Sequence, residues 1–355
     1  MNIFLTGSTG FLGGKLIKNL VSNSSHSVYV LVRNVEKGER IKSTFTPEEQ
    51  GRIHLIKGDI TLPSCGLSSK DLLTVMNKVD TFYHLAALVK FDLDLREELF
   101  AVNYEGTKHA LELATEIGAK AFHYVSTAYT VGKRTRGVEE LYDPDVAYNN
   151  PYEESKVKSE HLVFSYADKM DVSIFRPSII VGDSKTGEAD SEFTLYGFMR
   201  ALDLFKRKVN RRQAGQEMTY RLVANKEGTS NLVPVDYVAD ILALAATEAE
   251  RNHIYNITNP YPPKNIDLLN MLKQALQFDN LSVVEDASNY ELNPAEEKLN
   301  CMVDVFNDYL AGAIQFEDTN TQKLIKHSPL EHLNMSEVTV KMIMNAYFET
   351  QLVKG

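Results

Sequence analysis

Cysteine is nearly absent from this 355-residue chain. Cys65 and Cys301 stand far apart with no metal-ligand spacing, so neither a disulfide framework nor a cysteine-based metal site is expected, and the expected compartment is a reducing cytoplasm. Long apolar runs are missing as well. None approaches the roughly 18 residues of a membrane helix, and the opening MNIFLTG has no basic segment followed by an apolar one, so a soluble protein without a membrane span is expected. There is no excess of positive charge: 38 basic residues face 48 acidic ones, a net charge of -10 that argues against a nucleic-acid binder. Repeats of 20–50 residues and Ser/Gly or Pro linkers are also lacking. With 43% hydrophobic and 24% charged residues the chain is globular, long enough for two lobes.

What is present is an alternation. Short apolar runs at Ile3 to Leu5, Val28 to Val32, Ile53 to Ile56, Thr81 to Leu85, Ala121 to Val125 and Val172 to Phe175 each read as a buried strand. Between them, Phe11 to Leu20 and Glu105 to Ile117 repeat apolar residues three and four apart, as helices covering a sheet do. A βαβ series implies a parallel sheet. The expectation is an α/β Rossmann-type, doubly wound fold over residues 1–182 plus 230–259, with a smaller, mostly helical substrate lobe over 183–229 plus 260–355.

The first strand runs into Thr6-Gly7-Ser8-Thr9-Gly10-Phe11-Leu12-Gly13 and then a helix. Glycines at that junction allow a tight turn and close approach to a pyrophosphate, while the helix N-terminus offers partial positive charge. The second strand ends at Arg33, twenty residues beyond Gly13, where an NAD-preferring fold carries an acidic residue; a guanidinium there suits the 2'-phosphate of NADPH. Lys37 and Arg40 add to that attraction, and Glu36 and Glu39 offset it. Asp59, before Ile60, is placed to accept from an adenine amino group. Leu85-Ala86-Ala87 leaves room for the dinucleotide, and His84 reads as a packed, hydrogen-bonded histidine.

Tyr152 and Lys156 stand four apart, which on a helix puts phenol and ammonium on one face. A neighbouring cation favours phenolate and brings a group with an ordinary pKa of about 10 closer to a working proton donor. Twenty-five residues before the tyrosine, the strand ending Val125-Ser126-Thr127-Ala128 presents hydroxyls at the sheet edge.

In this order the motifs resemble those of the extended short-chain dehydrogenase/reductases over roughly the first 260 residues. The glycine run, Leu31-Val32-Arg33, Gly66-Leu67-Ser68, Val125-Ser126-Thr127-Ala128-Tyr129 and Asn231-Leu232-Val233-Pro234-Val235-Asp236 are most similar to the thioester reductase and fatty acyl-CoA reductase branch, the male-sterility type. The resemblance implies a catalytic triad of Thr127, Tyr152 and Lys156. It also implies cofactor contacts at Gly7 to Gly13, Arg33, Asp59, Ile60, Leu85, Ala86, Ala87, Asn103, Val125, Pro177, Ser178 and Ile179, and no metal. The implied activity is NADPH-dependent reduction of an acyl thioester on coenzyme A or on a separate acyl carrier protein, since no fused carrier domain or membrane tail is legible. An oligomer is compatible with this. A nucleotide-sugar epimerase or dehydratase would keep the same tyrosine and lysine, and a non-catalytic NADP-sensing protein is a further alternative. From Phe198 to Lys226 the chain carries a net +6, which reads either as a solvated helix face or as a field steering an acidic carrier or the phosphates of coenzyme A.

Overall fold

The computed structural model describes residues 1–189, 195–212, 218–285, 290–303 and 312–354. Two compact units are built from interleaved segments: Met1–Ser178, Val235–Thr258 and Phe316–His332 form the first, and Ile179–Pro234, Asn259–Gln315 and Leu333–Gly355 the second.

The first unit is the doubly wound α/β fold. Its strands are β1 (Asn2–Thr6), β2 (Ser27–Val32), β3 (Ile53–Lys57), β4 (Thr81–His84), β5 (Ala121–Val125), β7 (Asp171–Pro177) and β11 (His253–Ile257); β6 is the two-residue Arg136–Gly137. They form a seven-stranded sheet in the order β11-β7-β5-β4-β1-β2-β3 with every pairing parallel. Val28 to Val32 of β2 are all buried, as a strand covered on both faces by helices must be. Helix α1 (Phe11–Ser22) buries Gly13, Leu16, Ile17, Leu20 and Val21, an i, i+3, i+4, i+7, i+8 stripe. The chain reverses its winding between β1 and β4, which pair with Thr6 opposite His84, so the turns leaving these strands meet at the switch point where such sheets bind ligands.

Helix α2 (Val35–Lys42) follows β2, α3 is Pro47–Gln50 and α4 is Ser69–Val75. Helix α5 (Arg96–Phe100) passes through one π-helical turn, Ala101–Glu105, into α6 (Gly106–Glu116); α7 (Pro151–Phe164) precedes β7, and α9 (Val235–Glu248) precedes β11. Such π turns widen a helix locally and recur where a side chain must be re-aimed; here the re-aimed residue is Asn103.

The second unit carries α8 (Leu195–Arg212), α10 (Asn265–Leu276), α11 (Pro294–Val303) and a last helix Glu337–Lys354. It also contains two parallel strand pairs, β8 (Ile179–Val181) with β10 (Leu232–Pro234) and β9 (Tyr220–Val223) with β12 (Leu281–Val284). These strands are three or four residues long, too short for a hydrophobic period to stand out in the sequence.

The units differ from the expected bounds: residues 179–182, expected in the first, belong to the second. Leu232–Pro234 pairs with β8 within the second unit. Phe316–His332, read as part of the smaller lobe, belongs to the first. Its short helix Thr319–Ile325 is held to β11 by hydrogen bonds. Asn320 donates from its side chain to the Ile254 carbonyl (2.9 Å), Thr321 donates to the Asn256 carbonyl (2.8 Å), and the Glu139 carboxylate accepts from the backbone N–H of both Asn256 (2.9 Å) and Asn320 (2.6 Å). Polar bonds of this kind leave no periodic apolar signature.

Candidate active site

At the switch point the glycine run closes a cradle. Gly7 has φ +75°, and a Cβ there would lie 2.6 Å from the Ala86 nitrogen; a Cβ on Gly13 would lie 2.3 Å from the Gly7 carbonyl oxygen. Turn, helix and the strand end at Ala86 therefore touch backbone to backbone. No side chain caps α1, and its first turn carries no acidic residue, so its N-terminus is open to an anion. Thr6 ties the two strand ends together: its hydroxyl meets His84 Nδ1 (2.8 Å) and accepts from the Ala86 N–H (3.3 Å). His84 also meets the Thr107 hydroxyl through Nε2 (3.1 Å), and burial pulls its pKa down to about 3. It is a neutral, packed histidine, as its sequence context implied.

The site's chemistry sits on α7. Asn150 caps the helix by accepting from the Glu153 N–H (3.0 Å), and Pro151 opens it. Tyr152 and Lys156, one turn apart, are 8% and 2% exposed. Lys156 Nζ donates to the Val125 carbonyl (2.7 Å) and lies 4.3 Å from the centre of the Tyr124 ring. Burial draws this ammonium down to about 7, with Glu160 opposing the shift. Burial, reinforced by the Glu153 carboxylate, instead pushes the Tyr152 phenol above its ordinary range. This differs from the expectation that Lys156 brings the phenol toward phenolate: in a dry site, beside an amine drawn down to about 7 and so only partly charged at neutral pH, desolvation raises the phenol and Tyr152 stays protonated.

After β5 the chain presents Ser126 and Thr127, both buried. The Thr127 hydroxyl accepts from the Tyr129 N–H (3.3 Å), which leaves its own proton to donate, while Ser126 Oγ has no hydrogen-bond partner among the described residues. Ser178 Oγ, just beyond β7, is likewise buried without a partner. Buried hydroxyls in protein normally find partners, so two orphaned ones, together with a cradle that a methyl group would fill, fit a bound polar ligand such as a dinucleotide.

Several residues brought forward by sequence make contacts within the protein that order the site. The Asn103 side-chain amide bonds both backbone groups of Leu88 (2.8 and 3.0 Å) and donates to Ser155 Oγ (3.0 Å), locking the loop after β4 to α7. The Ser8 hydroxyl donates to the Leu31 carbonyl (3.2 Å), leaving only its backbone to the cradle. Asp59 Oδ1 accepts from the N–H and hydroxyl of Thr61 (3.0 and 2.9 Å), the geometry of a turn residue. Ile60 is buried and its carbonyl meets His109 Nδ1 (2.9 Å). Leu85 and Ala87 are half-buried beside Ala86, and Thr9, Phe11 and Leu12 are half-buried in the cradle. Pro177 ends β7, and Ile179 opens β8 in the second unit. Arg33 is exposed at the end of β2 and has no ion-pair partner among the described residues. Among those residues no group of three His, Cys, Asp or Glu is placed to hold a metal, and no helix is long and apolar enough to cross a membrane.

The feature missed in the sequence is the ion pair that fixes α7. Glu160, one turn beyond Lys156, receives a two-pronged contact from Arg176 of β7, Nε to Oε1 at 2.9 Å and a terminal nitrogen to Oε2 at 2.6 Å, with both side chains 0% exposed. Arg176 also donates to the carbonyls of Val138 (3.0 Å) and Glu140 (2.9 Å) and stacks on Tyr142 (4.6 Å). An arginine within the apolar run Val172 to Phe175-Arg176 and a glutamate at the Tyr152+8 position were the available signal.

The geometry agrees with what the chain resembles. It is 27% identical to the fatty acyl-CoA reductase wat of Drosophila melanogaster over 296 residues, 70% of this chain and 54% of that protein. It is 25% identical over 98% of its length to a stretch amounting to 7% of a linear gramicidin synthase polypeptide of Brevibacillus parabrevis. The chain thus spans about half, or far less, of these relatives. Among solved structures, the terminal R domain from the myxalamid PKS-NRPS biosynthetic pathway superposes with a TM-score of 0.78 at 24% identity, covering 100% of this chain and 91% of that one. UDP-glucuronic acid 4-epimerase of Bacillus cereus, solved with NAD, reaches 0.68 at 18% identity, covering 100% and 98%. At these identities the superpositions show a shared fold. Residues 5–242 match the NAD-binding family described as male sterility protein, and the chain belongs to that family.

Proposed function

We propose that the protein is an NADPH-dependent reductase of acyl thioesters carried on coenzyme A or on a separate acyl carrier protein. The observation that carries this reading is the pairing, on one buried face of α7, of a protonated Tyr152 with Lys156 anchored on the carbonyl that precedes Ser126-Thr127. The reductase relatives support the thioester substrate. Leu195, Phe198, Leu222, Leu232, Leu269 and Leu272 line an apolar cavity in the second unit, which suits an aliphatic chain better than a sugar.

In this reading the glycine cradle and the open N-terminus of α1 hold the pyrophosphate, and Arg33, with Lys37 and Arg40 exposed behind it, meets the 2'-phosphate. The bound dinucleotide, in its reduced form, supplies hydride. The Thr127 and Tyr152 hydroxyls donate to the carbonyl oxygen as it gains charge, the role of an oxyanion hole. Lys156 fixes the strand end that carries Thr127, and the Glu160–Arg176 pair holds the whole helix to β7. When the substrate carbon is an aldehyde, Tyr152 is the proton donor and an alcohol results.

The test is stoichiometry. Purified protein with NADPH and a panel of acyl-coenzyme A and carrier-bound thioesters is expected to release one thiol per dinucleotide oxidised in the first reduction. A tightly retained oxidised cofactor with no net consumption would refute the reading and favour an epimerase, and dinucleotide binding without turnover of any substrate would favour a sensor.

A further inference from the structure

The basic segment expected from Phe198 to Lys226 is not one patch. Arg221 is committed to Glu296, whose side chain is 1% exposed, and Lys206 donates to the Leu276 carbonyl. Lys226 lines the apolar cavity, and Glu217 lies outside the described residues. What remains is narrower. On α8, Arg200, Leu204, Arg207 and Arg211 are all exposed, at spacings of four, three and four residues, which puts them in one stripe along about 16 Å of helix. Leu204 is 50% exposed in the middle of it. Arg207 is shared with Asp203 (2.8 Å), while Arg200 and Arg211 have no ion-pair partner among the described residues. The opposite face is fixed: Leu202, Phe205 and Val209 are at most 7% exposed within the second unit.

We propose that this stripe of α8 is a docking surface for an acidic carrier protein that presents carboxylates around an apolar spot. The inference rests on the thioester reading above, because a carrier is the partner that reading calls for. Charge complementarity argues for it. A net charge of -10 disfavours an acidic partner over much of the surface, and two guanidiniums without an ion-pair partner among the described residues, flanking one leucine, give orientation as well as attraction. A membrane is disfavoured because the broad apolar face of α8, the part a bilayer would take, is already buried, leaving a single leucine.

The experiment uses the full chain and its double variant Arg200→Glu/Arg211→Glu, with a discrete acidic acyl carrier protein bearing an acyl-pantetheine thioester as probe. Retention of the native circular dichroism spectrum and thermal midpoint shows that the variant folds. Fluorescence anisotropy of the labelled carrier at low salt is expected to show affinity falling roughly tenfold or more, a difference that added salt erases. In turnover, KM for the carrier-bound substrate rises while kcat, and both constants for the same acyl group on free pantetheine, stay unchanged. Unchanged carrier affinity in the variant overturns the proposal. So does equal loss on free pantetheine thioester, which marks a structural effect, and so does loss of binding to anionic vesicles with carrier binding intact, which assigns the stripe to a membrane. Because the anisotropy does not depend on turnover, a wild-type protein that binds carrier but reduces no thioester refutes the activity and leaves the docking surface standing.

Discussion

Adding one methyl group at Gly13 separates the cradle from its surroundings. The new Cβ would stand 2.3 Å from the Gly7 oxygen and 2.7 Å from Ser8 Cα, both backbone atoms that cannot rotate away. An ordinary contact needs about 1 Å more, so the Gly7–Ser8 turn must move, and a misfit of this kind costs about 1–3 kcal/mol of stability. The same displacement shifts the groups meant for the pyrophosphate, and an error of about 1 Å in positioning is worth roughly 100-fold. Its neighbour is the internal control: a Cβ on Gly14 meets nothing within 4 Å, in a helix where alanine is preferred over glycine by roughly 0.5–1 kcal/mol. Urea unfolding and titration of NADPH by nicotinamide fluorescence, run on Gly13→Ala and Gly14→Ala, are expected to diverge in both readouts. The first loses stability and binding, while the second gains stability and binds as the parent does. Parental affinity in Gly13→Ala, or equal damage from both, would refute the placement of the cofactor.

Three further outcomes follow from the same geometry. Glu160→Gln leaves Arg176 buried without its counter-charge, and denaturant titration is expected to show a loss of about 3–5 kcal/mol, whereas the exposed pair Arg96–Glu154 costs under about 1 kcal/mol when broken. Arg33→Asp removes a charged contact worth about 1.5–3 kcal/mol, so the ratio of kcat/KM for NADPH over NADH is expected to fall at least tenfold; an unchanged ratio removes Arg33 from the cofactor site. Lys156 binds a proton in the unfolded chain up to its ordinary 10.5 but only to about 7 when folded. The unfolded state therefore holds the extra proton between those values, and stability rises with pH across that window, by up to about 1.4 kcal/mol per pH unit. Lys156→Met is expected to abolish this slope in unfolding free energies measured from pH 7 to 9.

The sequence made the sheet legible because its strands are buried on both faces and so stand out as unbroken Val, Ile and Leu runs. The glycine junction was legible because the backbone contacts of Gly7 and Gly13 admit no other residue. Tyr152 and Lys156 could be paired from helical spacing alone. Their electrostatics could not: only three-dimensional burial shows that the phenol is held neutral and the ammonium weakened. The support of α7 was equally hidden, since Glu160 and Arg176 are sixteen residues apart and nothing in their spacing pairs them. The return of Phe316–His332 to the first unit depends on Glu139 and on backbone hydrogen bonds, which have no period. On α8 the charge count was correct and its distribution was not, because partners such as Glu296 come from distant parts of the chain.

The most direct measurement follows the hydride itself. NADPH deuterated at the transferable position of the nicotinamide is mixed with the protein and an acyl thioester, and the product is examined by mass spectrometry and proton NMR. Deuterium on the former carbonyl carbon, in wild type and not in Tyr152→Phe at matched dinucleotide occupancy, is the expected result; oxidised cofactor with an unlabelled carbon, or equal labelling by the phenylalanine variant, would contradict it.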